Sequence, residues 1–200
     1  MASCRRILFL IPLVLLVSVS LLFAAPPQRM RPYTGIGLFL LPQSDSLSGH
    51  NQPLQLFEEP GLVRMGVLNS PAVPGNEWIF APYEGAAPLI VSARKGDWLR
   101  VVYDDAGREV WIRPENTGGF QSWEQFFKRQ TCRMLPGLQP KYYQLLRQPG
   151  GEQAAVLTPK QVFRVQKTEN SWCLVQIDQG TTGWIRWQDE DGRLLVGPGR

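Results

Sequence analysis

The side chains able to do covalent or acid–base chemistry are few and scattered. In 200 residues there is one histidine, His50, and three cysteines, Cys4, Cys132 and Cys173. A thiol nucleophile needs an imidazole within hydrogen-bond reach to take its proton. His50 lies in Ser-Gly-His-Asn-Gln-Pro, with no periodic pattern around it to hold the ring in place. A zinc centre needs several His, Cys or carboxylate ligands converging on one ion, and the spacing of these residues offers none. The pairs Glu58-Glu59 and Asp104-Asp105 fall in turn-rich stretches, where carboxylates stay solvated. A glycosidase requires two of them facing each other across a cleft. No catalytic residue, metal ligand or cofactor is assigned, and the expectation is a protein that is not an enzyme.

Binding is the chemistry that remains. The chain is 44% hydrophobic and 19% charged, which excludes a wholly disordered protein, a coiled coil or a collagen-like fibre. Seven Trp, 17 Pro and 19 Gly point to short strands joined by tight connections. The formal charge is +4, and Arg5 and Arg6 account for two of the 21 basic residues, so the rest is close to neutral. No nucleic-acid partner is expected.

Residues 1–6 are short and basic, and residues 7–25 are uncharged and mainly apolar, broken only by Pro12, Ser18 and Ser20. As a helix this run spans about 28 Å, close to the hydrocarbon thickness of a bilayer. Two readings stand, an uncleaved anchor and a signal peptide. Cleavage after Ala25 puts bulky Phe23 three residues back and Pro26 beyond the cut, while cleavage after Ser20 leaves an apolar stub. The anchor is preferred. Arg5 and Arg6 then keep the amino end inside and send residues 26–200 out. The expected location is the cytoplasmic (inner) membrane, single-pass, with a secreted or periplasmic protein as the alternative.

Beyond a Pro-, Gly- and Ser-rich spacer at 26–52, with an apolar patch at Gly37 to Leu41 that reads as a strand, the chain repeats itself. Gln55 to Leu68 (QLFEEPGLVRMGVL) aligns without a gap on Gln144 to Leu157 (QLLRQPGGEQAAVL). Asp97 to Arg113 aligns on Ser171 to Arg186 through Trp, Val three residues later, a turn, and Trp-Ile-Arg. Leu99, Val101, Cys173, Val175 and Ile177 alternate with their neighbours as strand residues facing a core. Cys173 stands where the first unit has Leu99, so Cys132 and Cys173 are expected as free thiols rather than a disulfide. Between the units, Ser122 and Gln125 fit a capping box, with Trp123, Phe126 and Phe127 on one helical face. This reads as a short helix wedged between the units rather than an aromatic-basic surface for lipid built with Lys128, Arg129 and Arg133.

The Pro-Gly loop, the apolar strand, Trp-x-x-Val, a Gly-containing turn and Gly183-Trp184-Ile185 together resemble the bacterial SH3-like (Src-homology-3-type) domain. The first unit departs from it at Val110, in place of the Gly, and by an insertion at 69–88. That insertion reads as a hydrophobic flap over the first unit. The resemblance implies a mainly β fold, with two small, strongly bent, five-stranded barrels in tandem behind the N-terminal transmembrane or signal helix. The expected division is anchor or signal 1–25, spacer 26–52, first barrel 53–115, linker 116–141, second barrel 142–189 and tail 190–200.

The alternation places Trp98 and Trp172 on the outer face at equivalent positions. A large aromatic held outside a core either packs against the linker helix or the neighbouring barrel, or supplies contact area to a partner. Trp172 is preferred over Trp98, which the insertion stands to cover, and Trp184, Trp111 and Tyr143 complete the candidate ligand-binding set. The resemblance implies a cell-wall peptide or an extended segment of an envelope protein as ligand, with membrane attachment through residues 7–25. A structural or regulatory subunit docking onto a membrane protein complex is the second reading, and a cell-wall hydrolase a remote third. The sequence sets no oligomeric state.

Overall fold

A computed structural model of the chain describes residues 30–42, 54–68, 76–80, 86–104, 106–114, 119–128 and 130–199. The apolar run at 7–25 and His50 lie outside the described residues, and among those described no helix is long and apolar enough to cross a membrane. The fold is mainly β, two antiparallel sheets of seven strands each. The first contains β1 (Gly37–Pro42), β2 (Leu54–Phe57), β3 (Arg64–Leu68), β4 (Ala86–Lys95), β5 (Trp98–Val102), β6 (Glu109–Ile112) and β7 (Phe120–Ser122). The second contains β8 (Thr131–Met134), β9 (Gln144–Leu146), β10 (Gln153–Val156), β11 (Val162–Glu169), β12 (Trp172–Gln176), β13 (Thr182–Arg186) and β14 (Val196–Pro198). Among the described residues two short α-helices accompany them, α1 (Glu77–Phe80) and α2 (Trp123–Lys128).

The strand orders are β3-β2-β6-β5-β4-β1-β7 and β10-β9-β13-β12-β11-β8-β14, the same order with every strand moved on by seven. The register agrees residue by residue. Leu99 pairs with Ile112 as Cys173 pairs with Ile185, and Arg100 pairs with Trp111 as Leu174 pairs with Trp184. Phe57 pairs with Trp111 as Leu146 pairs with Trp184, which puts Leu56 and Leu145 at one ladder position. Even the irregularities recur, with a bulge at Ser92 in β4 and at Gln166 in β11. Each repeat is thus longer than the span legible as an internal match. β1 falls in the stretch read as a spacer, β7 and β8 in the stretch read as a linker, and β14 in the stretch read as a tail. Of these, β7, β8 and β14 have only three or four residues and no match between copies, so pairing alone reveals them, whereas β1 is the strand read at the apolar patch Gly37 to Leu41.

The turns follow from local chemistry. Pro60-Gly61 and Pro149-Gly150 sit at the tips of the β2–β3 and β9–β10 hairpins, with φ of 76° at Gly61 and 69° at Gly150, a left-handed backbone that side chains resist. Between β5 and β6, Asp104 accepts the backbone N–H of Arg108 at 2.9 Å, and its carbonyl accepts the Gly107 N–H at 3.1 Å.

Two buried clusters result. Phe39, Leu54, Leu56, Leu89, Val91, Leu99, Val101, Val110 and Ile112 fill the first sheet. The second cluster gathers Cys132, Leu145, Phe163, Val165, Cys173, Val175 and Ile185 from the second sheet, and extends outward to Leu38, Ile79, Phe80, Ile90, Trp123, Phe126 and Phe127. Strand alternation explains the link between them. Phe39, Leu89 and Val91 face the first cluster, while Leu38 and Ile90 on the other side of the same strands face the second. The β1–β4 pair is therefore buried on both faces.

Helix α2 forms the expected capping box: the Gln125 N–H donates to Ser122 Oγ at 3.3 Å, and the Ser122 N–H donates to Gln125 Oε1 at 3.1 Å. Its aromatic face is wedged inward, as read from the sequence, and is not a lipid surface. Trp123 lies 5.7 Å from Trp187 and 6.4 Å from Phe80, centroid to centroid. Phe127 lies 5.6 Å from Trp187. The described part of the insertion corrects the expected flap. Ile79 and Phe80 of α1 are buried in the second cluster, not laid over the first sheet.

Candidate functional site

The outward faces of β5, β6, β12 and β13 carry the tryptophans. In β5, Leu99 and Val101 are buried, and Trp98 is half-buried on the opposite face, with Arg100 beside it exposed. In β12, Cys173 and Val175 are buried and Trp172 is half-buried. Trp111 in β6 and Trp184 in β13 hold the equivalent place on the next strand over in each sheet, both half-buried between inward neighbours. The four tryptophans thus occupy two pairs of equivalent ladder positions. Tyr143 does not join them. It is buried in the second cluster, and its hydroxyl donates to the Leu135 carbonyl at 2.9 Å, so it is a core residue.

The two faces differ in what surrounds the rings. In the second repeat, cations of the same sheet cover them. The Arg186 guanidinium lies 4.7 Å from the Trp172 centroid, and Lys167 Nζ lies 5.9 Å from that of Trp184. Glu190 adds counter-charge, 3.6 Å from Arg186 and 3.5 Å from Lys141. The Tyr142 hydroxyl donates to it at 2.7 Å, and with Arg186 and Lys141 this holds the carboxyl down at about 2. This face is neutralised within itself.

In the first repeat, Phe57 meets Trp98 edge-on at 5.1 Å, and the hairpin tip at Gly61 lies against the indole. The hairpin then continues into exposed apolar residues: Leu62 is 79% exposed, Met65 56% and Val63 52%. The repeat makes the contrast direct, because the aligned positions of the second unit are Gly151, Glu152 and Ala154. Glu58 and Glu59, also exposed, have no ion-pair partner among the described residues. Sequence reasoning passed over Leu62, Val63 and Met65, although the gapless match already set Leu-Val-Arg-Met against Gly-Glu-Gln-Ala. Phe57 had no such signal, since its meeting with Trp98 depends on the fold of the hairpin.

The thiols have no part in this face. Cys132 and Cys173 are free and buried. Burial pushes the Cys132 thiol up to about 12 and that of Cys173 well above its ordinary value, so both stay protonated. A cleft of about 380 Å³ opens on the second sheet beside Thr131, Arg164, Gln176 and Asp178, and no tryptophan lines it. Its side chains supply one hydroxyl, one amide, one cation and one carboxylate, and neither a thiol nor an imidazole.

Residues 139–189, the second repeat from the turn before β9 to Asp189, match the family model of the bacterial SH3 domain. No curated protein matches the chain.

Proposed function

We propose that the protein is a non-catalytic binding module, two SH3-like barrels in tandem held outside the cytoplasmic membrane by residues 7–25. Its ligand is an extended segment, a cell-wall peptide or part of an envelope protein, received on the outer tryptophan face. One observation carries the reading: Trp98 stands half-buried beside Phe57, on a hairpin whose next residues, Leu62, Val63 and Met65, are exposed. Exposed apolar groups on a hairpin whose tip touches a large aromatic mark interaction surfaces, since burying them releases hydration that folding left in place. This moves the preferred site from Trp172, which Arg186 already covers, to Trp98. Trp111 belongs to the same face, and Trp172 and Trp184 to its counterpart in the second repeat. The apolar character of the hairpin favours an envelope-protein segment over a polar cell-wall peptide.

The test is co-sedimentation of the full chain, in detergent, with purified peptidoglycan, and in parallel chemical cross-linking in intact cells. Cross-links at the β2–β3 hairpin beside Trp98 to one envelope protein, lost in Trp98→Ala, are the expected result. Sedimentation with peptidoglycan that Trp98→Ala abolishes assigns the cell-wall ligand instead. Binding of either kind that survives Trp98→Ala and Trp172→Ala rules out the tryptophan face as the site.

A further inference from the structure

The described part of the stretch read as a spacer, residues 30–42, is not a loose tether. From Arg31 onward it runs antiparallel to the last turn of the second repeat and is fixed there at several points. The Thr34 N–H donates to the Gly192 carbonyl at 2.9 Å, and the Leu194 N–H donates to the Pro32 carbonyl at 3.0 Å. Arg31 Nη2 reaches Asp189 Oδ2 at 2.7 Å, and Arg193 Nη1 donates to the Arg31 carbonyl at 2.6 Å. Asp189 is buried and gives its other oxygen to the Arg193 N–H at 2.8 Å, so the clamp is closed from both sides. Thr34 Oγ1 adds a bond to Gln188 Oε1 at 2.8 Å.

This strap leaves an unusual surface. Tyr33 is 59% exposed and Ile36 44% exposed, although the strap around them is well bonded. The Arg193 guanidinium lies over the Tyr33 ring at 4.2 Å and has no carboxylate partner among the described residues. An aromatic ring, an aliphatic side chain and a cation that is held by the Arg31 carbonyl and by the Tyr33 hydroxyl at 3.1 Å, with no carboxylate to neutralise it, together are the equipment of a headgroup layer, where amphipathic rings and snorkelling cations are at home. Chain length argues for the same partner. Six residues lead from Ala25 to Arg31, and a fully extended chain of that length reaches about 20 Å.

We propose that Tyr33, Ile36 and Arg193 rest on the lipid headgroups of the bilayer in which residues 7–25 are anchored. The strap thereby fixes the orientation of the second repeat toward the membrane instead of letting it swing. This inference rests on the anchor reading made under the proposed function.

The experiment uses the full chain in a Cys4→Ser background, so that only an added thiol reacts while Cys132 and Cys173 stay buried. Ile36→Cys, Tyr33→Cys and, as control, Leu62→Cys are each labelled with a fluorophore. β3, next to Leu62, stands five strands from β1 in the sheet order. The labelled proteins are reconstituted in phosphatidylethanolamine–phosphatidylglycerol vesicles carrying headgroup nitroxide lipids. The expected result is flotation with the vesicles in all three cases and loss of emission at positions 36 and 33, with none at 62. Flotation without quenching at 36 and 33 overturns the proposal and leaves the anchor standing, and a protein partner then becomes the candidate for that face. Quenching at all three positions also overturns it, since it shows adsorption without orientation. Failure to float removes the anchor reading, and the proposal with it. Thermal melts of the three variants matching the parent show that the strap is intact.

Discussion

The two repeats share a strand order, a register and their bulges, yet they have diverged in opposite directions. The first has a core confined to its own sheet and carries exposed apolar residues at its hairpin. The second shares its core with α1, α2 and the outer side of β1 and β4, and its tryptophan face is covered by its own cations. The ladder is therefore a scaffold that tolerates either use. One repeat is the hub on which α1, α2 and the outer side of β1 and β4 are assembled, and the other presents an open surface. The core substitutions show how the change was absorbed. Phe39 and Leu89 pair in the first sheet, and Cys132 and Phe163 take those positions in the second, so the larger ring changes strand. Close-packed interiors require such compensation, because a volume change at one position must be met by its neighbour.

The largest expected effect tests the hub. Trp123→Ala removes a buried ring that touches Phe80, Phe126, Phe127 and Trp187, and also the indole N–H bond to the Thr34 carbonyl at 2.8 Å. It should cost about 3–5 kcal/mol in a denaturant titration. Both repeats should melt together at a lower temperature. A first sheet that keeps its own transition unchanged would break the idea of a shared core.

The next effect separates the repeats at one ladder position, where the first has Val110 and the second Gly183. A Cβ at Gly183 would stand 2.5 Å from Leu145 Cγ, and Leu145 is fully buried. Gly183→Ala should therefore destabilise by roughly 1–3 kcal/mol, as overpacking does, and Gly183→Val by more. Val110→Ala, at the same position in the first sheet, relieves rather than creates crowding, so its cost comes only from lost burial. Thermal melts of the three variants rank them, and equal tolerance of Val at position 183 would show that the repeats pack alike there.

Smaller in stability but larger in function is the pair Trp98→Ala and Trp172→Ala. Both rings are half-buried, so each should cost about 1–2 kcal/mol, less than truncating a buried ring. Trp98→Ala alone should abolish ligand capture in the cross-linking assay. Equal loss from both variants would mean that the cations over Trp172 and Trp184 do not close the second face.

The smallest effect is in acid. The carboxyl of Glu190 is held at about 2, below its ordinary 4.5, first by the Tyr142 hydroxyl and then by charge from Arg186 and Lys141. A depressed carboxyl lends stability that is present above its unfolded value and is lost as the pH falls through the folded one. Asp189 acts in the same direction: burial raises it, but the Arg193 N–H and the Arg31 guanidinium lower it further. Melting temperature should therefore fall as the pH drops from the ordinary carboxylate range toward about 2. Glu190→Gln should blunt that fall slightly, since the group is largely in water and screened. An identical acid profile for variant and parent would remove Glu190 from the account.

The sequence by itself determined the local part of this protein. Period-two alternation fixed the inward faces of β5 and β12, Pro-Gly pairs and Gly-containing turns placed the hairpins, and Ser122 with Gln125 announced the start of α2. These are short-range effects, written within a few residues of where they act, and the internal match repeated them, so each could be read twice. The tertiary structure alone decided which residues beyond the match complete each sheet. β7, β8 and β14 are defined by pairing across long separations, which carries no local signal, and for β1 the apolar patch showed a strand but not its partners. It also decided that Tyr143 turns inward and that Ile79 and Phe80 cross to the second core. Residues 31–36 likewise looked like spacer and are held by Asp189, Gly192 and Arg193, more than 150 positions away. Burial is a property of the neighbours a residue meets, and those neighbours come from distant parts of the chain.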